Sequence, residues 1–218
     1  MKRISLTFDN GPIPGVTERV LEILDKHAVL ATFMVVGKNL EHPAGQALLA
    51  ETAAAGHWIG NHTLTHSIAL GDNPEPGYAT HEISRTQELI GAHAHPEKFF
   101  RPFGNAGLLG PHLLSEEAVE HLQRNAYTCL LWNSIPRDWV EGEDWVARAV
   151  EHVQAQDWTV AVLHDMPGAS VGRLDEFLAR MRDMDVRIEQ TLPDPVLPIR
   201  RGKVAGLPDE YVAGRAGR

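Results

Sequence analysis

Ile4-Ser5-Leu6-Thr7-Phe8-Asp9-Asn10-Gly11-Pro12 alternates apolar with small polar residues and then stops. Ile4, Leu6 and Phe8 recur at the two-residue period of a β-strand with one buried face, and Gly11-Pro12 ends the run in a turn. A carboxylate, Asp9, therefore stands at the end of a strand. In parallel α/β folds catalytic groups collect at that edge, because the following helices leave a crevice there. Read locally, Asp9 and Asn10 serve equally well as turn caps.

Outward from this strand, residues 16–27 place Val20, Leu21, Ile23 and Leu24 on one helical face. Residues 31–36 form an almost continuous apolar run, as in a strand buried on both faces of a parallel sheet. A helix is predicted over residues 44–55, with Gly56 just past its end, and a strand over 57–61. The loop 71–77 has the composition and length of one that covers a substrate site. A helical pattern follows it through Ile83, Leu89 and Ile90. Residues 99–101, 127–132, 159–164 and 186–188 read as further strands, and Ser115 as the N-cap of a helix opening with Glu116 and Glu117. With helices over 144–154 and 174–181, strand and helix alternate seven times. That rhythm predicts a seven-stranded (β/α) barrel, complete or incomplete, or an open doubly wound sheet. The predicted division is a barrel domain over residues 1–191 and a Pro/Gly/Arg-rich tail over 192–218, expected to pack loosely.

The 218 residues are 43% hydrophobic and 22% charged, with a net charge of −9. The acidic balance argues against a nucleic-acid or anionic-membrane partner. No stretch approaches the roughly 20 apolar residues of a membrane span. No apolar segment of signal-peptide length precedes Asp9, so a cytoplasmic protein is expected. The single cysteine, Cys129, lies in an apolar run and reads as a buried thiol. Twelve histidines in an acidic chain raise the prospect of a metal site.

His62 and His66, four residues apart, have the spacing of paired metal ligands, although twelve histidines make such a match easy by chance. Arg101 ends a strand, where it either pairs with a surface carboxylate or holds a catalytic one. Asp138-Trp139 follows the fifth strand and His164-Asp165 closes the sixth. A histidine ending an apolar strand is more often a satisfied core group than a catalyst. Five successive strand ends carrying Asp, His or Arg are a different matter.

Thr7-Phe8-Asp9-Asn10-Gly11-Pro12 resembles the Thr-Phe-Asp-Asp-Gly-Pro signature of NodB-type polysaccharide deacetylases, carbohydrate esterase family four. His62-Thr63-Leu64-Thr65-His66 is similar to that family's His-Ser/Thr-X-X-His. Arg101-Pro102-Phe103-Gly104 is similar to its Arg-Pro-Pro-Tyr-Gly, Asp138-Trp139 to the end of its Asp-X-X-Asp-Trp, and Leu163-His164-Asp165 to its Leu-His-Asp. The resemblance implies a distorted barrel that removes N-acetyl, sometimes O-acetyl, groups from sugars. It implies a divalent metal, zinc, on His62, His66 and the residue at position 10, which polarises the acetyl carbonyl and water. Asp9 is then general base and His164 general acid. Arg101 and Asp138 tune them, Trp139 contacts substrate, and the backbone N–H near Phe103 holds the oxyanion.

The sequence departs from that pattern at three places. Asn10 stands where the family has its metal-binding aspartate, so a dication on two imidazoles keeps its full charge and zinc affinity is expected to fall. Asn133 and Ile135 replace acidic-motif positions, and the Arg-Pro-Phe-Gly turn is one proline short. Three readings follow: a working deacetylase, a metal-poor or metal-independent amidohydrolase on small cyclic amides, imides or ureides, and a carbohydrate-binding homologue without catalysis. Retention of Asp9, Arg101, Asp138 and His164 disfavours the third, and the histidine pair favours metal. Asn10-Gly11 is a deamidation-prone pair, which suggests that some molecules regain an aspartate there. Trp58, Trp132 and Trp139 lie near strand ends, where they either stack on a sugar face or fill the barrel rim.

Overall fold

In the computed structural model, which describes residues 1–215, the first strand, β1 (Arg3–Asp9), pairs with three others. Its residues divide by parity, as the alternation requires. Ile4, Leu6 and Phe8 are at most 1% exposed and pack with Val20, Leu24, Val146, Phe177 and Leu178 from the surrounding helices. Burial of each such side chain is worth roughly 1.5–3 kcal/mol. Ser5, Thr7 and Asp9 take the opposite face and are equally buried, so each needs a polar partner. The Thr7 hydroxyl donates to the Ala161 carbonyl (2.7 Å), and the Ser5 hydroxyl to that of Thr191 (2.6 Å).

The chain follows the predicted rhythm. After β1 come α1 (Thr17–Lys26), β2 (Thr32–Val35), α2 (Pro43–Ala54), β3 (Trp58–Asn61), α3 (Tyr78–Ile90), β4 (Phe99–Phe100), α4 (Glu116–Arg124) and β5 (Thr128–Cys129). Then come α5 (Trp145–Ala155), β6 (Trp158–His164), α6 (Leu174–Asp183) and β7 (Arg187–Glu189). Ser115 caps α4 by accepting from the Ala118 N–H, as expected. Strands β6, β1, β2, β3, β4 and β5 are successive parallel neighbours, and β7 pairs with the first half of β1. A parallel bridge between Ser134 and Ala161 brings the segment after β5 against β6. The curled sheet is thus a distorted barrel.

The fifth strand is shorter than residues 127–132 suggest. Beyond Cys129 the backbone serves other partners: the Leu130 and Leu131 carbonyls accept from Arg101, and the Leu131 N–H donates to Val196.

The C-terminal segment is a correction. Instead of packing loosely, it forms β8 (Ile199–Arg200), antiparallel to β5, and β9 (Lys203–Val204). Val196, Leu197, Ile199 and Val212 are at most 4% exposed. They follow no period because Val196 and Leu197 join one hydrophobic cluster and Ile199 and Val212 another, while the segment covers the open edge of β5. Residues 216–218 of the predicted tail lie outside the described residues. The loop 71–77 is a second correction. Gly71 donates to the His112 carbonyl (2.8 Å), and a Cβ there would lie 2.1 Å from the Pro111 carbonyl oxygen. The loop lies against its neighbour and does not line the catalytic cleft.

Candidate active site

Four parallel strands, β6, β1, β3 and β4, end on the same edge of the sheet, with β2 between β1 and β3, and each end delivers one group. Asp9 ends β1 and is in register with His164 at the end of β6. Asn61 ends β3 in register with Phe100 of β4, so His62 and Arg101 follow at the same level. A cleft of about 210 Å³ opens there, lined by Asp9, Asn10, His62, His66, Phe103 and His164 among others.

Arg101 is the fixed point, although fully buried. Its guanidinium donates to Asp9 Oδ1 (2.7 Å), to the Thr7 hydroxyl (2.7 Å) and to the Leu130 and Leu131 carbonyls (3.2 and 3.3 Å). Burial raises the Asp9 pKa, but the charge and hydrogen bond of the Arg101 guanidinium oppose it, and the carboxyl is held below its ordinary value. With Oδ1 committed to Arg101, Oδ2 is the oxygen that faces His62 Nε2, at 3.4 Å.

His62 Nδ1–H donates to the Arg101 carbonyl (2.9 Å), which leaves a lone pair on Nε2. His66 follows one turn later, its ring centroid 4.8 Å from that of His62, and Phe103 packs on its other side at 4.3 Å. Burial lowers the pKa of both; that of His66 falls to about 3. Both imidazoles are therefore neutral donors at physiological pH. Among the described residues no three His, Cys, Asp or Glu side chains are grouped to hold a metal ion. A third donor would have to be of another kind, and Asn10 lines the same cleft as the two histidines. Its Nδ2 donates to Met166 Sδ (3.3 Å), whereas its Oδ1 is buried without a hydrogen-bond partner. A buried amide oxygen in want of a positive partner, beside two neutral imidazoles, fits a divalent cation.

On the other wall, His164 Nδ1–H donates to Asp138 Oδ1 (2.8 Å), and Trp139 meets the imidazole edge-on at 4.7 Å. Burial lowers the His164 pKa, but the hydrogen bond and charge of Asp138, with Asp9 and Asp165, outweigh it and raise the value above normal. The structure thus brings together Asp9, Asn10, His62, His66, Arg101, Phe103, Asp138, Trp139 and His164. The Phe103 N–H makes no hydrogen bond among the described residues. Trp132 and Trp139 line the cleft, whereas Trp58 does not: it starts β3 at the other end of the barrel and packs on His95 and Phe99.

The roles of two residues were missed in the sequence, although one of them, Asp165, ends the Leu163-His164-Asp165 motif. Asp165 accepts from the Gly11 N–H (2.8 Å) and the Thr17 hydroxyl (2.8 Å), and burial raises its pKa to about 7. A Cβ on Gly11 would lie 1.8 Å from its Oδ2, so only glycine lets the turn settle on this carboxylate. Glu82 lies on the buried face of α3 with Ala79, Ile83, Thr86 and Ile90. A charge on an otherwise apolar face was the signal available.

A carboxylate and an imidazole in register at the mouth of a parallel barrel, beside two further imidazoles and an unpartnered amide oxygen, suit a hydrolase. The sequence matches the polysaccharide deacetylase family over residues 1–107. It is 33% identical over 166 residues to the chitooligosaccharide deacetylase of Rhizobium leguminosarum bv. trifolii, an alignment that covers 75% of this chain and 72% of that one. It is 28% identical over 168 residues to the peptidoglycan-N-acetylglucosamine deacetylase of Bacillus cereus, covering 75% and 73%. The solved structure of a family 4 acetyl xylan esterase from Clostridium thermocellum, in complex with a cobalt ion, superposes with a TM-score of 0.70 at 27% identity, covering 87% of this chain and 88% of that one. The chain belongs to the polysaccharide deacetylase family and is a hydrolase of amide bonds. Metal dependence is a property of that family, and these relatives favour a deacetylase over an imide or ureide hydrolase.

Proposed function

We propose that this chain removes the acetyl group from N-acetylglucosamine units of an oligosaccharide, with Asp9 as general base and His164 as general acid. The observation that carries the reading is the register pair itself. Asp9 and His164 end adjacent strands, and each has its own buried partner, Arg101 or Asp138. Those partners drive the two groups to opposite protonation states, the arrangement acid–base catalysis needs.

Asp9 Oδ2 takes a proton from water as the water oxygen bonds to the amide carbon. The tetrahedral species collapses with cleavage of the C–N bond, and His164 Nε2–H gives its proton to the departing nitrogen. Acetate and a free amine result. His62, His66 and Asn10 Oδ1 would hold a divalent cation, zinc, which when bound supplies Lewis-acid polarisation of the carbonyl and a more acidic water. The Phe103 N–H is assigned to the oxyanion, and Trp139 walls the acetyl site beside the acid.

The test is acetate release from N-acetylated chito-oligosaccharides by protein incubated with zinc or cobalt, alongside Asp9→Asn and Asn10→Asp. Release by the parent protein that Asp9→Asn abolishes supports the reading. No release by either the parent protein or Asn10→Asp refutes it.

A further inference from the structure

The turn carrying the histidine pair is not one its sequence would choose. Thr63 has φ 70° and His66 φ 50°, the left-handed region that β-branched residues avoid. Something outside the turn has to hold it. On one side, Gly37 and Lys38 donate to the Thr63 and Leu64 carbonyls (2.9 and 2.8 Å). On the other, Asn61 Oδ1 and the Thr63 hydroxyl accept from the Thr63 and His66 amides (3.0 and 3.3 Å), and a single side chain takes the two between them. Glu82 Oε2 accepts from the N–H groups of both Leu64 (3.0 Å) and Thr65 (2.9 Å), and Oε1 accepts from the Thr65 hydroxyl (3.0 Å).

Glu82 is 2% exposed and makes no ion pair with Lys, Arg or His among the described residues. A buried carboxylate without a cation is costly unless hydrogen bonds satisfy it. Here those bonds come from the segment between the two histidines. The carboxylate and the turn therefore stabilise each other, and α3 becomes the support from which His66 is aimed at His62.

We propose that Glu82 is a positioning residue for the histidine pair, fixing the turn so that both imidazoles address one cation. This rests on reading His62 and His66 as ligands. The position of the two oxygens is what matters, more than the negative charge. Glu82→Gln keeps an acceptor oxygen at the same reach, whereas Glu82→Asp keeps the charge and withdraws it by one methylene.

The experiment is cobalt(II) titration, followed by the visible spectrum and by chelator competition, on the parent protein, Glu82→Ala, Glu82→Asp, Glu82→Gln and a His66→Ala control. Amide exchange at Leu64 and Thr65 is measured in the metal-free proteins. Glu82→Ala and Glu82→Asp are expected to weaken cobalt binding by about 10- to 100-fold, the usual effect of losing a group that orients ligands. Their spectra shift and the two amides exchange faster, while Glu82→Gln stays near the parent. Parent-like affinity in Glu82→Asp, or equal losses in Glu82→Asp and Glu82→Gln, overturns the proposal; Glu82→Asp also serves if Glu82→Ala does not fold. If the parent protein binds no cobalt, the ligand reading fails by itself. Amide exchange then decides for Glu82: acceleration confined to this turn in Glu82→Asp supports it, and unchanged exchange overturns it.

Discussion

Asp138 grips His164 twice, accepting from its ring Nδ1–H and from its backbone N–H, each at 2.8 Å. The double contact fixes both the ring tautomer and the strand end from which the ring projects. It also raises the His164 pKa against the effect of burial. The imidazolium therefore persists to higher pH than an ordinary histidine, and the rate falls on the alkaline side only when that proton is lost. In Asp138→Asn the support for the charge goes and burial remains. The alkaline limb of kcat against pH is expected to move to lower pH, and kcat to drop on the order of 10²-fold. An unmoved limb would remove His164 from the role of acid.

Asn10 offers a neutral oxygen where relatives' motif has a carboxylate. Asn10→Asp is expected to tighten zinc binding by about an order of magnitude or more, since ligand charge is a main lever on cation affinity. Competition titration against a chromophoric chelator measures it. Equal affinities would mean that position 10 is not a ligand.

The deamidation expected of Asn10-Gly11 meets an obstacle in the fold. Ring closure needs the Gly11 nitrogen to swing onto the Asn10 side chain, and that N–H is tied to Asp165 at 2.8 Å in a buried turn. Peptide mapping of aged protein is expected to find asparagine intact at position 10, and faster conversion in Asp165→Ala.

Arg101→Met should separate shape from charge. The methionine fills part of the space but leaves the Asp9 carboxylate buried without its cation, a change that costs about 3–5 kcal/mol when one partner of a buried pair is removed. Denaturant unfolding reads the loss. A double variant Arg101→Met, Asp9→Asn should recover much of that stability and none of the activity.

His57 predicts a pH effect unrelated to catalysis. Its Nδ1 accepts from the Ala31 N–H, and burial lowers its pKa to about 4. As pH falls below about 6.5, an unfolded chain takes up the proton first. Stability from neutral His57 is thus present above that value and is lost as pH falls toward about 4. Urea midpoints followed over this window should decline less steeply in His57→Asn than in the parent protein.

The strands and helices were legible because each carries its own period: two along β1, near 3.6 along α1, none along the doubly buried β2. The site was legible where a motif occupies one strand end, as at Asp9, Arg101 and His164. Groups that act across long sequence separations were not. Glu82 shows only as a charge on a buried helix face and Asp165 only as the end of a motif, because their partners are amides and hydroxyls of segments elsewhere in the chain. The segment after Leu192 was misread for a similar reason: Val196, Ile199 and Val212 are buried by β5 and by the stretch before α4, which no window of sequence displays.

The pairing of β1 with β6 also has a meaning in time. Asp9 leaves the ribosome well before the strand that carries His164, which emerges only after β1 to β5 have been made. Until β6 docks along β1, the nascent chain holds Asp9 without His164 beside it, so on the proposed mechanism hydrolytic competence arrives in one late step. A chain cut short before that strand would bear four of the five motifs and remain inert.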